Sequence, residues 1–202
     1  MKEILPGVHH WTAIHPKIHI EVSSYYLADE KAVIDPLVPA EGLDVFTQGV
    51  DNVFLTNRHH YRQSDAFVRR FGCTVWCSAP GMHEFTHGEK VTPFRFGDRL
   101  PGGLEAIEIG ELCPDETALF LPRAGGLLAL ADGAMRDNGG ALRFVMDEYI
   151  RDDPEEVPMV KAGLRRAYGR VLSRPFDTLL LAHGLPIVGA GKEALRDFAH
   201  AA

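Results

Sequence analysis

The sequence has 202 residues, 46% hydrophobic and 24% charged, which is the make-up of a water-soluble globular chain, and a single domain over residues 1–202 is expected. A formal net charge of −7 speaks against nucleic acid or an anionic membrane as partner and leaves a small-molecule ligand. No run approaches the ~18 apolar residues that span a bilayer, and Met1 to Gly7 lacks the apolar core of a secretory leader, so a cytoplasmic location is expected.

Taken in order, Leu5 to Pro39 reads as short strands broken at Pro6-Gly7, His15-Pro16 and Asp29-Glu30. Ser24 to Leu27 and Lys31 to Pro36 form a hairpin that delivers Asp35 to a strand end, where an aspartate before proline caps a turn. A short helix is expected over Ala40 to Gly49, then a strand from Asn52 to Thr56. A helix starts near Ser64 and stops at Gly72, and its first-turn amides favour an anion. Thr74 to Ser78 is β-branched and aromatic, the next parallel strand of a βαβ unit. Cys73, Cys77 and Cys113 cannot all pair, and Cys73-x3-Cys77 lacks the second pair of a structural zinc site, so all three read as plain thiols. His83-x3-His87 would put two imidazoles on one helical face, but reads more simply as surface histidines of a short helix or lid.

The second half opens on a Gly-rich turn at Gly97 to Gly103, followed by a half-exposed strand from Leu104 to Ile109, a loop from Glu111 to Thr117, and strands at Ala118 to Leu121 and Leu127 to Ala131. Gly139 to Leu172 has a helical pattern split by Pro154 and Pro158. A strand from Thr178 to Ala182, a turn at His183-Gly184-Leu185-Pro186 and a helix from Lys192 to His200 complete the chain.

The chemistry gathers after Thr56. Val53-Phe54-Leu55-Thr56 is a buried-strand run that opens into Asn57-Arg58-His59-His60-Tyr61-Arg62, and ligands collect where such strands end. This stretch resembles the metallo-β-lactamase superfamily, whose strand is followed by Thr-His-x-His-x-Asp-His, four metal ligands on one turn. The likeness extends to a Pro-Gly-Val turn at Pro6, a Tyr-Leu strand at Tyr26 and an Ile-Asp strand end at Asp35. It implies a four-layer αββα sandwich of α/β class, with Asp35 buttressing the site loop. In the same register Asp132 matches the carboxylate that bridges two metals, and His183 in Ala-His-Gly-x-Pro matches the last ligand.

The departures decide what the resemblance permits. Of the four ligands on the first turn only His59 is kept; Asn57 replaces a histidine, and Tyr61 and Arg62 stand where an aspartate and a histidine would hold a second metal. Leu112 stands at the ligand histidine of the loop before Glu116. A guanidinium repels a neighbouring cation, by roughly 4 kcal/mol per unit charge at ~4 Å and an effective dielectric of 20, and pairs well with a carboxylate. The expectation is therefore no pair of zinc ions, with Arg62 lying against Asp132. Two functions follow. One is a metal-free small-molecule binder or pseudoenzyme, in which Asn57, His60, Tyr61 and Arg62 contact the ligand. The other is a hydrolase of esters, thioesters or amides with one divalent metal (zinc, manganese or iron) on His59, Asp132 and His183. On either reading His59, Asp132 and His183 are the candidate catalytic residues.

Overall fold

The computed structural model describes residues 1–137 and 139–201. The first half lays down β1 (Lys2–Leu5), β2 (Val8–Ile14), β3 (Glu21–Leu27), β4 (Ala32–Ile34), β5 (Asn52–Phe54), β6 (Thr74–Ser78) and β7 (Val91–Phe94), which pair in sequence order as one seven-stranded sheet. β1 to β4 are antiparallel neighbours joined by short turns, whereas β4 to β7 are parallel. A parallel pair needs a crossover, and α1 (Ser64–Phe71) supplies it between β5 and β6, ending at Gly72 with φ 69°.

The second half adds β8 (Glu105–Glu108), β9 (Thr117–Leu121) and β10 (Leu127–Leu130). A ribbon of β11 (Met135–Arg136) and β12 (Leu142–Arg143) follows, then α2 (Asp147–Ile150), α3 (Val157–Val171), β13 (Thr178–Leu181) and α4 (Gly191–His200). The second sheet has the order β13-β10-β9-β8, with β13 and β10 parallel.

Period-two alternation builds the layers, because successive strand side chains face opposite ways. In β10, Leu127 and Ala129 face the other sheet, where they meet Tyr25, Leu27, Ile34 and Phe54, while Leu128 and Leu130 pack on Leu164, Tyr168 and Phe198 of α3 and α4. In the first sheet Tyr26, Val33 and Val53 turn outward onto Phe46 and Phe67 of the α1 side. Three cores separate four layers, α1 side, sheet, sheet, then α3 and α4. The sandwich is the expected αββα arrangement.

Two stretches differ from expectation. Between Gly42 (φ 81°) and Gly49 (φ 82°) the chain makes only a short 3₁₀ turn, Leu43–Val45, since the mixed apolar spacing offers no continuous helical face. The long helical pattern from Gly139 resolves into β12, α2 and α3, with Pro158 in the first turn of α3, a place where a missing amide costs nothing. His83 lies in a 3₁₀ segment, Ala79–Glu84, that ends before His87, so the two imidazoles do not share a helical face.

Candidate metal centre

Three strand ends converge on one edge of the sandwich. β10 and β13 run parallel with Leu130 opposite Leu181, so Asp132 and His183 leave neighbouring strands in the same direction. The first sheet is stitched to this edge: the Tyr25 hydroxyl donates to Leu181 O (2.8 Å), Ser23 N donates to Ala182 O (2.9 Å), and Ser23 Oγ donates to Gly184 O (2.8 Å). That docking brings the turn after β5 over Asp132.

The turn is a 3₁₀ segment, Arg58–Tyr61, capped by Asn57, whose Oδ1 accepts from His59 N at 2.9 Å. A 3₁₀ helix has three residues per turn, so positions i and i+3 eclipse. Asn57 and His60 therefore share a face, and both reach Asp132. Asn57 Nδ2 donates to Asp132 Oδ2 (2.8 Å), and His60 Nε2 lies 2.9 Å from Asp132 Oδ1. His183 Nε2 lies 3.0 Å from the same Oδ1. One donor atom each from His60, Asp132 and His183 falls within 4.8 Å of the others.

His59 is not among them. It stands two positions from Asn57, off that face and exposed, although its ring lines the same cavity of about 270 Å³. The seat expected for His59 thus belongs to His60. The expected ion pair between Arg62 and Asp132 is also absent. Arg62 Nη1 donates instead to Ser23 O (2.7 Å) and Asp35 O (2.6 Å), and Nη2 makes a long contact to Ala182 O (3.5 Å). Positive φ at Arg62 (44°) turns the side chain back under the β3 edge. Tyr61 is half-buried and tilted against Phe85 at 5.8 Å, a wall residue of a second cavity. Leu112 packs on the core beneath α3.

Asp35 does what the resemblance implied for it. Its Oδ1 accepts from Thr56 N (2.8 Å), and its Oδ2 accepts from Thr56 Oγ1 (2.6 Å) and lies 3.0 Å from His60 Nδ1. The Thr56 hydroxyl is spent on Asp35, so the His60 Nδ1 proton points to this buttress and Nε2 faces Asp132. A carboxylate behind a histidine in this manner fixes the tautomer of a metal ligand and raises its basicity. Burial alone would raise the Asp132 carboxyl, but His60 and His183 hold it well below the usual range. Burial would lower His60, yet Asp132 and Asp35 lift it to about 9.

The donor set fits one cation. Asp132 Oδ1 is buried and accepts no hydrogen bond among the described residues, despite two imidazole nitrogens at 2.9 and 3.0 Å. Donors bound ~2.0–2.1 Å from one zinc at 90–109° stand roughly 2.9–3.4 Å apart, with their lone pairs aimed at the ion rather than at each other. Two imidazoles and a carboxylate with an open side are also a usual donor set for catalytic zinc.

From the sequence, Glu116 could supply a replacement carboxylate but reads more simply as a solvated loop acid; the structure gives it a supporting part in this centre. Its Oε1 accepts from Gly133 N (3.1 Å) and its Oε2 from Leu112 N (3.2 Å), which ties the turn carrying Asp132 to the preceding loop. Burial, then Asp132, pushes its carboxyl up to about 8.

No family model and no curated protein matches the sequence. Solved structures do. A metallo-β-lactamase family protein from Thermus thermophilus superposes with TM-score 0.66 at 18% identity, covering 98% of this chain and 80% of that one. The chain has the metallo-β-lactamase fold. An archaeal superfamily protein from Sulfolobus tokodaii matches with TM-score 0.64 at 12% identity, covering 96% and 84% of the two chains. The flavodiiron protein from Giardia intestinalis matches with TM-score 0.63 at 18% identity, covering 98% of this chain and 58% of that one. At such identities the metallo-β-lactamase fold is what is shared, and the chemistry has to be argued from the site. No helix among the described residues is long and apolar enough to cross a membrane.

Proposed function

We propose that this chain is a hydrolase that holds one divalent metal ion on His60, Asp132 and His183 and cleaves a small ester, thioester or amide. The observation that carries the reading is Asp132 Oδ1, buried between two imidazole nitrogens with no hydrogen bond of its own among the described residues. Such an ion supplies a water of lowered pKa and polarises a carbonyl.

The chain's own residues do the rest. Asp35 and Thr56 hold the His60 ring with Nδ1 turned to them and Nε2 turned to Asp132. Asn57 occupies Asp132 Oδ2 and leaves Oδ1 to face the histidines. His59, on the cavity wall and with its pKa lowered by partial burial and by Arg58, is placed to carry a proton at the open side. A second ion does not suit these side chains: Leu112 cannot coordinate, and the guanidinium of Arg62 borders the same cavity.

A metal-free binder draws support from a different observation. With its pKa near 9, His60 is an imidazolium at pH 7 when no ion is present, paired with Asp35 and Asp132, so a proton takes over the balancing charge. One measurement separates the readings. Protein purified without chelator is expected to carry one equivalent of zinc, manganese or iron and to hydrolyse members of an ester and thioester panel in a chelator-sensitive manner. No bound metal after incubation with each ion, together with binding of small molecules but no turnover, would establish the binder.

A further inference from the structure

The hydrolytic reading leaves Arg62 without a chemical role, and its setting is that of a ligand site. The guanidinium borders two cavities. One is the inner cavity of about 270 Å³ over His60, Asp132 and His183; the other is a vestibule of about 370 Å³ walled by Tyr61, Phe85, Lys17 and Arg58, with the carboxylates of Glu84 and Glu89 also on its wall. Its backbone sits at φ 44°, a conformation that a bulky residue adopts only when its surroundings insist. On one side three carbonyls, Ser23, Asp35 and Ala182, hold it with neutral hydrogen bonds. Among the described residues no carboxylate lies within 4 Å of it, and its Nε–H makes no hydrogen bond. Asp35 and Asp132 act on this cation through space, but it is anchored through neutral acceptors and forms no ion pair among the described residues, so its charge also faces whatever enters from the other side.

Lys17 adds to this. It stands on the exposed loop between β2 and β3, borders the vestibule, and also has no carboxylate within 4 Å among the described residues. Of the two carboxylates on the vestibule wall, Glu84 lies 3.8 Å from Arg58 Nε and Glu89 accepts from His87 N (2.8 Å), so Arg62 and Lys17 are cations of this wall with no carboxylate within 4 Å among the described residues. The two cavities share His15, His59 and Arg62 in their walls, so a substrate that extends past Arg62 from the centre enters the vestibule.

We infer that Arg62, assisted by Lys17, seats an oxyanion group of the substrate, a carboxylate or a phosphate. The anion lies at the mouth of the vestibule and the scissile bond over His60, Asp132 and His183. The placement of the scissile bond rests on the hydrolase reading; the anion seat does not, because it is built from Arg62 and Lys17 alone.

The test uses metal-stripped, ¹⁵N-labelled full-length protein titrated with monomethyl succinate, with methyl phosphate, and with uncharged dimethyl succinate. The expected result is saturable binding of an anion that shifts the Arg62 Nε–H resonance, at least tenfold weaker binding of the diester, and no requirement for metal. Whichever anion binds more tightly names the source. Arg62→Met is expected to weaken that binding at least tenfold. Should that variant fold poorly, Lys17→Gln, at an exposed position, is expected to weaken it about threefold. An Arg62 resonance that stays still at saturation, equal affinity for diester and monoester, or anion binding that appears only after metal is restored would overturn the assignment. Metal content is measured on the same protein before stripping, so a failed metal result leaves the anion result standing.

Discussion

Asp35→Asn tests the centre through a residue that touches no substrate. Asparagine keeps the shape and tolerates the positive φ of 48° at this position. It can still accept from Thr56 N, but an amide nitrogen replaces Oδ2, and that nitrogen meets the His60 Nδ1 proton 3.0 Å away. Two donors then face each other, so His60 is driven to carry its proton on Nε2, the atom 2.9 Å from Asp132. Losing a hydrogen bond to a charged group costs about 1.5–3 kcal/mol. Removing a carboxylate behind a metal ligand lowers metal affinity roughly 10- to 100-fold, which converts to about 1.4–2.7 kcal/mol. Competition against a chromophoric chelator reads the affinity, and urea unfolding reads the stability. The pH dependence has a fixed sign. Burial works against the Asp35 carboxylate, but His60 and Arg62 outweigh it and its pKa is lowered, so its stabilisation is present above the unfolded value near 3.9 and is lost as pH falls through the folded value. The stability gap between wild type and Asp35→Asn is therefore wide at pH 7 and narrows below about pH 4. Equal metal affinity in the two proteins would refute the proposed relay from Asp35 through His60.

Three further outcomes follow from the same geometry. His60→Ala is expected to abolish the single bound metal equivalent while His59→Ala retains it, as read by elemental analysis, because of these two neighbours it is His60 that reaches Asp132 Oδ1. Gly184→Ala would place a Cβ 1.8 Å from Arg136 O at a φ of 92°; a loss of at least about 2 kcal/mol in urea unfolding is expected, with weakened metal binding as the neighbouring His183 shifts. His10, buried against Ser23, has its pKa lowered by burial to about 4, so the unfolded chain takes up a proton that the folded chain refuses between pH 6.5 and 4. Stability falls across that window by about 2 kcal/mol once solvent screening is allowed for, and His10→Gln should flatten the slope.

The architecture was legible because its signals are local and repeated. Period-two apolar strands, a helix stopped by Gly72 and a βαβ unit each follow from a few adjacent residues, and together they admit few layerings. The pieces that were not legible depend on what is absent from the chain at that point. Gly42 and Gly49 break a segment whose composition alone permits a helix. Glu116 reads as a solvated loop acid until Gly133 and Leu112 are seen donating to it from either side.

The displacement of His59 by His60 has the same origin and carries the functional argument. Set beside the family motif, Thr56 to Arg62 has an ideal register, and in that register His59 coordinates. In that register the first two ligand positions, 57 and 59, are alternate residues. Here the first inward residue is Asn57, which spends its Oδ1 on His59 N and so closes a tighter turn. A tighter turn moves the second inward position from i+2 to i+3, and His60 takes it. Thr56 and Asp35, both in place for other reasons, then find the ring at hydrogen-bonding distance. On this account the motif is rewired, with Asn57 as the residue that selects which histidine faces Asp132. Asn57→His would test it: a histidine cannot cap His59 N through the same short arm, so the turn should relax and metal binding should come to depend on His59 as well as His60. Dependence on His60 alone in that background, shown by the loss of bound metal in His60→Ala and its retention in His59→Ala, would break the link between the cap and the choice of ligand.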